Sequence, residues 1–245
     1  MSGNPFGAYI RLQRKAAGLT REQLADRINL SVSLIEKIEL GTRTTTLPTL
    51  KTLFDGLNVP PLHRRYILNL SLPGGLGHNS DAVPEPTLAD LADLASLPHP
   101  AGFFLVPTFT MVAVNDAYRT AFPGIVNGTN LIEWLLLNPC ARDTVLDWHR
   151  EAHRLVHGLR VLTPDPATNP HITEIINRCQ AIPEWDHLWN TDLPAPALFR
   201  DHITIRDPSN HQVRHLNARL YSPEFPDRPW WLHRLIPIQD GVTET

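Results

Sequence analysis

The stretch Leu-Thr-Arg-Glu-Gln-Leu-Ala-Asp-Arg-Ile-Asn-Leu-Ser-Val-Ser-Leu-Ile-Glu-Lys-Ile-Glu-Leu-Gly-Thr-Arg, residues 19–43, decides the fold of the N-terminal part. Thr20 and Gln23 have the spacing of a capping box, which predicts the start of a helix. Asn29 stands where the chain turns, and asparagine tolerates the positive φ that such a turn often needs. Ser31 is a typical N-cap for a second helix. Together these residues predict a helix-turn-helix.

The apolar residues of the same stretch indicate how its two helices pack. Ala25 is small and lies on the buried side of the first helix, where the second helix must approach closely. Ile35 and Ile38 are three residues apart, so they share one face of the second helix. Gly41 is typical of the residue that follows a helix end.

Charge divides the 245-residue chain into two parts, and its length suits one large or two ordinary domains. Residues 1–72 contain ten Lys or Arg and five Asp or Glu, a net charge of +5. The remainder contains twelve Arg and twenty Asp or Glu, a net charge of −8. A basic module joined to an acidic one indicates that the first part alone binds phosphates.

Composition excludes several classes of protein. No apolar run approaches the ~20 residues that a membrane span requires, and the N-terminus lacks the pattern of a secretory signal. The two cysteines, Cys140 and Cys179, are not closely spaced, which favours reduced thiols in a reducing compartment. We therefore expect a cytoplasmic protein with no membrane partner.

A segment rich in Gly, Pro and Ser predicts a linker at residues 73–87. We accordingly expect a DNA-binding domain at 1–72 and a regulatory domain at 88–245. In the second domain, leucines three residues apart between Leu88 and Leu97 share one helix face. Phe103–Val106 and Met111–Val114 predict a hairpin of two strands.

The rest of the second domain alternates between the two kinds of pattern. Helices are predicted over 115–122, 131–137, 141–159 and 172–181, and strands over 200–206, 213–221 and 231–237, with a turn at 207–210. The order of these elements predicts an α+β protein, in which a helical bundle precedes an antiparallel sheet with flanking helices.

Residues 6–70 resemble an Xre-type, lambda-repressor-like DNA-binding domain. The motif Ile-Glu-Lys-Ile-Glu-Leu-Gly-Thr-Arg at 35–43 carries the resemblance most closely. It implies a bundle of five helices, which we place at 6–17, 21–28, 32–40, 48–56 and 61–70. The chain departs from the family at Asn29, where glycine is usual, and at Val32, where a polar residue that reads bases is common.

The resemblance implies residues that contact double-stranded DNA. Val32, Ser33 and Lys37 would face the base edges, and Arg21 would hold a phosphate at the start of the second helix. Three residues that follow the recognition helix would contact the DNA backbone: Thr42, Arg43 and Thr44. Arg14 and Glu39 match a pair that the family uses inside the domain.

The second domain resembles the MmyB-like ligand-binding domain, a PAS-like fold found behind Xre-type modules. The similarity lies in the strand-to-helix passage at 104–118, in Asp147-Trp148 and Leu159-Arg160, in the region 185–189 and in the late strands. It implies an antiparallel sheet that cups a pocket for a small apolar or acyl effector. The candidate ligand-binding residues are Phe104, Trp134, Trp148, His149, His153 and Trp189.

The sequence shows no catalytic constellation and leads us to expect no metal or other cofactor. His149, His153 and His157 share a helix face, but their spacing matches neither His-Glu-x-x-His nor His-x-x-Glu-His. We therefore expect a transcription regulator that binds a two-fold DNA operator as a homodimer under the control of an effector. Two alternatives remain open: a metal-dependent enzyme with an autoregulatory DNA-binding module, and a regulator controlled by a protein partner.

Overall fold

The structure, a computed structural model, describes residues 5–59, 64, 67–68, 85–163, 166–193, 197, 200–222, 226 and 228–238. The chain divides into two compact units. The first unit comprises residues 1–79 and 160–169, and the second comprises residues 80–159 and 170–245.

The first unit is helical. Its described helices are α1 Pro5–Ala16, α2 Arg21–Ile28, α3 Val32–Glu39 and α4 Leu47–Gly56. All four agree with the predicted helices within one residue at either end. The predicted fifth helix over 61–70 and the predicted linker at 73–87 lie largely outside the described residues.

The predicted helix caps and the predicted turn of the helix-turn-helix are all present in the structure. The Thr20 hydroxyl accepts from the Gln23 backbone N–H, and the Gln23 side chain accepts from the Thr20 N–H, which completes the capping box. Asn29 ends α2 in the left-handed conformation with φ 52°. Ser31 caps α3, and Gly41 follows that helix with φ 69°.

The core of the first unit gathers one apolar face from each helix. Ala25, Ile35 and Ile38 are buried as predicted. The remaining buried members are Phe6, Tyr9, Ile10, Leu24, Ile28, Leu50, Leu53, Phe54, Leu57, Val59, Ile67 and Val161. Val161 belongs to the later segment that forms part of this unit.

The second unit combines one sheet with several helices. In chain order the described elements after residue 85 are α5 Leu88–Ser96, β1 Ala101–Leu105, β2 Met111–Val114, α6 Asp116–Ala121, α7 Leu131–Leu137, α8 Pro139–Thr144, α9 Trp148–Leu162, a 3-10 turn Pro166–Thr168, α10 Pro170–Cys179, α11 Trp185–Asn190, β3 His202–Arg206, β4 Val213–Tyr221 and β5 Trp230–Pro237. The end of α9 and the 3-10 turn fall in the segment that completes the first unit.

The five strands form one antiparallel sheet in the order β2-β1-β5-β4-β3. The hairpin predicted around residues 103–114 is confirmed, as are the three late strands. Residues directly opposite each other share a face of the sheet. His233 of β5 pairs with Gly102 of β1 and with Leu220 of β4, so the three lie on one face.

That face, which we call the inner face, supplies the main core of the second unit together with the helices. The opposite, outer face packs Phe103, Ala113 and Trp230 against Leu94 of α5. The predicted leucine face of α5 is therefore covered only in part, since Leu88 is 87% exposed.

The prediction of one continuous helix over 141–159 is wrong. The chain forms α8 and α9, separated by residues 145–147. Val145 makes a β-bridge with Ile205, and the Leu146 N–H donates to the Thr204 carbonyl. Pairing with the edge strand β3 satisfies the backbone groups that a continuous helix would have used.

Candidate DNA interface and effector site

Glu39 joins three parts of the helix-turn-helix. Its carboxylate, which is fully buried, accepts from Arg14 at 2.6 Å and 3.1 Å and from Arg21 at 2.9 Å. Arg14 also donates to the Leu19 carbonyl, in the turn between α1 and α2, at 2.8 Å. The expectation that Arg14 and Glu39 form an internal pair is therefore confirmed.

The predicted base-reading residues lie on the open side of α3. Val32, Ser33 and Lys37 are all exposed, whereas Ile35 and Ile38 face the core. Lys37 makes no ion pair with any residue in the described part of the chain. The first turns of α3 therefore present a methyl surface, a hydroxyl and a cation in one place, the groups that can contact base edges.

The residues after α3 are exposed as well. Thr42 donates from its backbone N–H and from its hydroxyl to the Lys37 carbonyl, at 2.9 Å and 3.2 Å, and so closes the C-terminus of the helix. Arg43 and Thr44 are exposed beside it. Their role as backbone contacts remains a prediction.

Arg21 forms ion pairs inside the first unit that the sequence analysis did not predict. Its guanidinium contacts Glu39 at 2.9 Å and Glu36 at 3.5 Å, and about a third of its side chain remains exposed. It lines a basic depression at the turn between α1 and α2, together with Arg11 and Lys15. Arg11 and Lys15 were not among the predicted contacts, and only packing of the two helices brings them beside Arg21.

The inner face of the sheet carries a polar pair within an aromatic group. Tyr118 Oη lies 3.2 Å from His233 Nδ1. Burial lowers the pKa of His233 to about 4 and raises the pKa of Tyr118 above its ordinary value, so both groups are neutral near pH 7. The sequence analysis missed both residues, although the alternation through 231–235 places His233 on the face of Trp231 and Leu235.

Two of the predicted effector residues, Phe104 and Trp134, belong to the same series of contacting aromatic rings. Phe104 lies 6.1 Å from His233, measured between ring centroids, and stacks on Phe109 at 6.0 Å. The Tyr118 ring centroid lies 5.0 Å from that of Phe122, and the Phe122 centroid lies 5.7 Å from that of Trp134. The Trp134 indole donates to the Pro123 carbonyl at 2.8 Å.

The other predicted effector residues form separate contacts. Trp148 is buried beneath the guanidinium of Arg142, which lies 3.7 Å from its ring centroid, and His149 beside it is exposed. His153 Nε2 lies 3.0 Å from the Thr191 carbonyl. Trp189 stacks on Trp185 at 5.1 Å.

The three histidines of α9 have different surroundings. His149 is exposed, His153 is half-buried and His157 is buried. Within the described ranges, no group of three or more His, Cys, Asp or Glu side chains is placed to hold a metal ion. Among the helices of that same part of the chain, none is long and apolar enough to cross a membrane.

Comparison with known families gives two matches, one in the N-terminal part of the chain and one in the rest. A helix-turn-helix family model matches residues 10–63. The model of the MmyB-like transcription regulator ligand binding domain matches residues 86–228, more than half of the chain. No curated protein matches the chain. The chain therefore belongs to the MmyB-like transcription regulators, and it is a DNA-binding regulator under the control of a ligand.

Proposed function

We propose that this regulator binds a two-fold-symmetric DNA operator as a homodimer, with α3 in the major groove. One observation supports this docking: α3 exposes Val32, Ser33 and Lys37 on one side. On its buried side, Glu39 anchors the same helix to Arg14. In helix-turn-helix proteins the N-terminal residues of the second helix contact base edges, and dimers bind half-sites one helical turn apart.

Phosphate contacts would surround this helix. Arg21 at the N-terminus of α2 and Arg43 after α3 would hold the DNA backbone, with the hydroxyls of Thr42 and Thr44 as further donors. The exposure of Arg43, Thr42 and Thr44 supports these contacts, and about a third of the Arg21 side chain is exposed beside its ion pairs. Contacts of this kind set position and affinity rather than sequence preference. Because a regulator acts where its DNA lies, we place this one in the cytoplasm.

The second unit would hold a small apolar or acyl effector on the inner face of its sheet. The supporting observation is that Phe109, Leu220 and Trp231 remain only half-buried beside the core of that unit. An effector would act by binding one arrangement of the regulator more tightly than another, since a ligand of equal affinity for both shifts nothing.

A double substitution tests the DNA interface. Lys37→Ala with Arg43→Ala removes one predicted base contact and one phosphate contact, so operator retention in a gel-shift should fall at least tenfold. The control is Arg27→Ala with Lys51→Ala, which removes two positive charges from exposed positions outside the predicted contacts. Equal retention by the two double variants would contradict the docking.

A thermal-shift screen with apolar acids and acyl conjugates tests the effector class, and light scattering tests the dimer. Stabilisation by a member of the screen supports the small-molecule effector. If no compound stabilises the protein, a protein partner becomes the better explanation of ligand control.

A further inference from the structure

The strongest unexplained feature of the second unit is a histidine at the centre of its sheet. His233 lies on β5, which is the middle strand, and its neighbours across the strands are Gly102 and Leu220. The ring also packs edge-on against Phe104 and Tyr118. A polar side chain in apolar surroundings is informative because burial of polar groups is unfavourable unless they are hydrogen-bonded.

One ring nitrogen of His233 is satisfied inside the protein. Tyr118 Oη, 3.2 Å from Nδ1, has no other hydrogen bond to a residue that the structure describes. A buried phenol keeps its proton and needs an acceptor for it. We therefore assign the Tyr118 hydroxyl as donor to Nδ1, which leaves the proton of the neutral imidazole on Nε2.

None of the described residues uses the proton on the other ring nitrogen, Nε2. His233 Nε2 has no hydrogen-bond partner among the described residues. Protein atoms do not cover this nitrogen completely. The ring as a whole is half-buried, as are Leu220 and Trp231 on the same face. An N–H donor without an internal acceptor among the described residues therefore belongs to a face that also carries Phe104, Leu220 and Trp231.

The charged group that acts on this ring belongs to an ion pair. The cation that acts on His233 is Arg154 of α9. Arg154 donates to Glu151 at 2.7 Å and 2.9 Å, and the side chain of Glu151 is only 4% exposed. The charge of Arg154 is thus paired with a buried carboxylate, which also lies 3.9 Å from Arg150. This pairing weakens the attraction of Arg154 for an anion beside the imidazole.

We propose that His233 Nε2–H is the polar anchor of the effector site and selects an uncharged apolar molecule that carries one carbonyl oxygen. This inference rests on the proposed function and names the effector chemistry of that same site. A ketone, ester or lactone oxygen accepts the hydrogen bond, while the rest of the molecule contacts Phe104, Phe109, Leu220 and Trp231. A carboxylate is disfavoured because its charge would be desolvated beside a neutral donor.

Three probes with ten carbon atoms each separate the contributions: butylbenzene, butyrophenone and 4-propylbenzoate. Their dissociation constants are measured at pH 7 by titration calorimetry with the full chain. Butyrophenone should bind about fivefold to tenfold more tightly than butylbenzene, the gain of one neutral hydrogen bond. The benzoate should bind at least tenfold more weakly than butyrophenone.

Two variants assign the preference to the proposed residues. His233→Phe keeps an aromatic ring but lacks a donor, so the ketone and the hydrocarbon should bind equally. Tyr118→Phe frees Nδ1 from its donor and should reduce the preference for the ketone, because Tyr118 is a positioning residue that fixes the imidazole tautomer. An unchanged far-UV circular dichroism spectrum and a cooperative thermal transition show that each variant has kept its fold.

The outcomes distinguish this inference from the proposed function. If apolar probes bind but the ketone preference survives in His233→Phe, or if the benzoate binds best, the anchor is wrong while the effector site stands. If none of the three probes binds the wild-type protein, the effector site itself fails, and the anchor fails with it.

Discussion

The buried carboxylate of Glu39 should contribute more to the stability of the first unit than any exposed charge of that unit. Desolvation favours its protonated form, but the hydrogen bonds and charges of Arg14 and Arg21 outweigh desolvation and hold the pKa of Glu39 below its ordinary value of 4.5. A buried carboxylate with two guanidinium partners fixes the positions of α1, α2 and α3. The orientation of the recognition helix depends on it.

Substitution of Glu39 should therefore destabilise the first unit strongly. Glu39→Gln leaves Arg14 buried without a counter-charge, and we expect a loss of about 3–5 kcal/mol in the free energy of unfolding, measured with urea. Glu36→Gln is the control, since Glu36 is half-exposed and 3.5 Å from Arg21. The control should lose no more than about 1 kcal/mol.

The same carboxylate gives a dependence on acidity with a defined sign. Because the pKa of Glu39 is lowered by folding, its contribution to stability is present above about pH 4.5 and is lost as the pH falls further. Glu39→Gln should lack this part of the acid dependence. Equal acid sensitivity of wild type and variant would contradict the buried pair.

His233 should make the second unit sensitive to acid over a different range. Its pKa falls from 6.5 to about 4 because burial disfavours the charged ring. Below pH 6.5 the unfolded chain takes up a proton that the folded chain refuses, so stability decreases between about pH 6.5 and 4. His233→Gln should remove about 2–3 kcal/mol of that decrease, measured by urea unfolding at several pH values. An unchanged slope would mean that burial does not disfavour the charged form of this ring in the folded protein.

Among the elements, α1 and α3 approach each other more closely than their sequences indicate. Gly7 of α1 is buried, and a Cβ at this position would lie 2.5 Å from the Ile38 carbonyl oxygen and 2.8 Å from that of Glu39. Both contacts are with backbone atoms at the end of the recognition helix. Only glycine allows this approach.

Gly7→Ala should separate the two helices. Alanine raises helix propensity by about 1 kcal/mol, but the overlap with backbone atoms should outweigh this gain and give a net loss of about 1–3 kcal/mol on thermal unfolding. Operator affinity should fall as well, because α3 shifts.

Gly18→Ala is the matched control for this substitution. Gly18 has φ +66° and no atom within 4 Å of an added Cβ, so the expected loss of about 1 kcal/mol comes from the backbone alone. Operator affinity should then stay unchanged. If Gly7→Ala is as stable as wild type and binds the operator equally well, α1 and α3 do not pack as closely as described.

For the molecule as a whole, ligand binding to the folded state should appear as a rise in Tm. Butyrophenone at one hundred times its dissociation constant stabilises the folded state by about 2.7 kcal/mol, which corresponds to about 5–10 °C for a chain of this size. Leu220→Trp should fill the half-open inner face and abolish the rise. The same rise in that variant would show that the compound binds elsewhere.

Much of the fold follows from local signals in the sequence. Capping at Thr20 and Ser31, positive φ at Asn29 and the branched anchors Ile35 and Ile38 act over a few residues, so the sequence predicted the helix-turn-helix nearly residue by residue. The strands were equally readable because apolar and polar residues alternate along them. The prediction of one helix over 141–159 was wrong. The bridge that interrupts it joins Val145 to Ile205, sixty residues away, so local pattern does not reveal it.

The sequence by itself determined the order of elements, the division of charge and the exposed row on α3, because these depend on neighbours along the chain. Only the tertiary structure decided which polar groups meet: Glu39 with two arginines, and His233 with Tyr118 across 115 residues. It also placed Val161 in the core of the first unit. Such pairings depend on packing between distant segments, which local pattern does not encode.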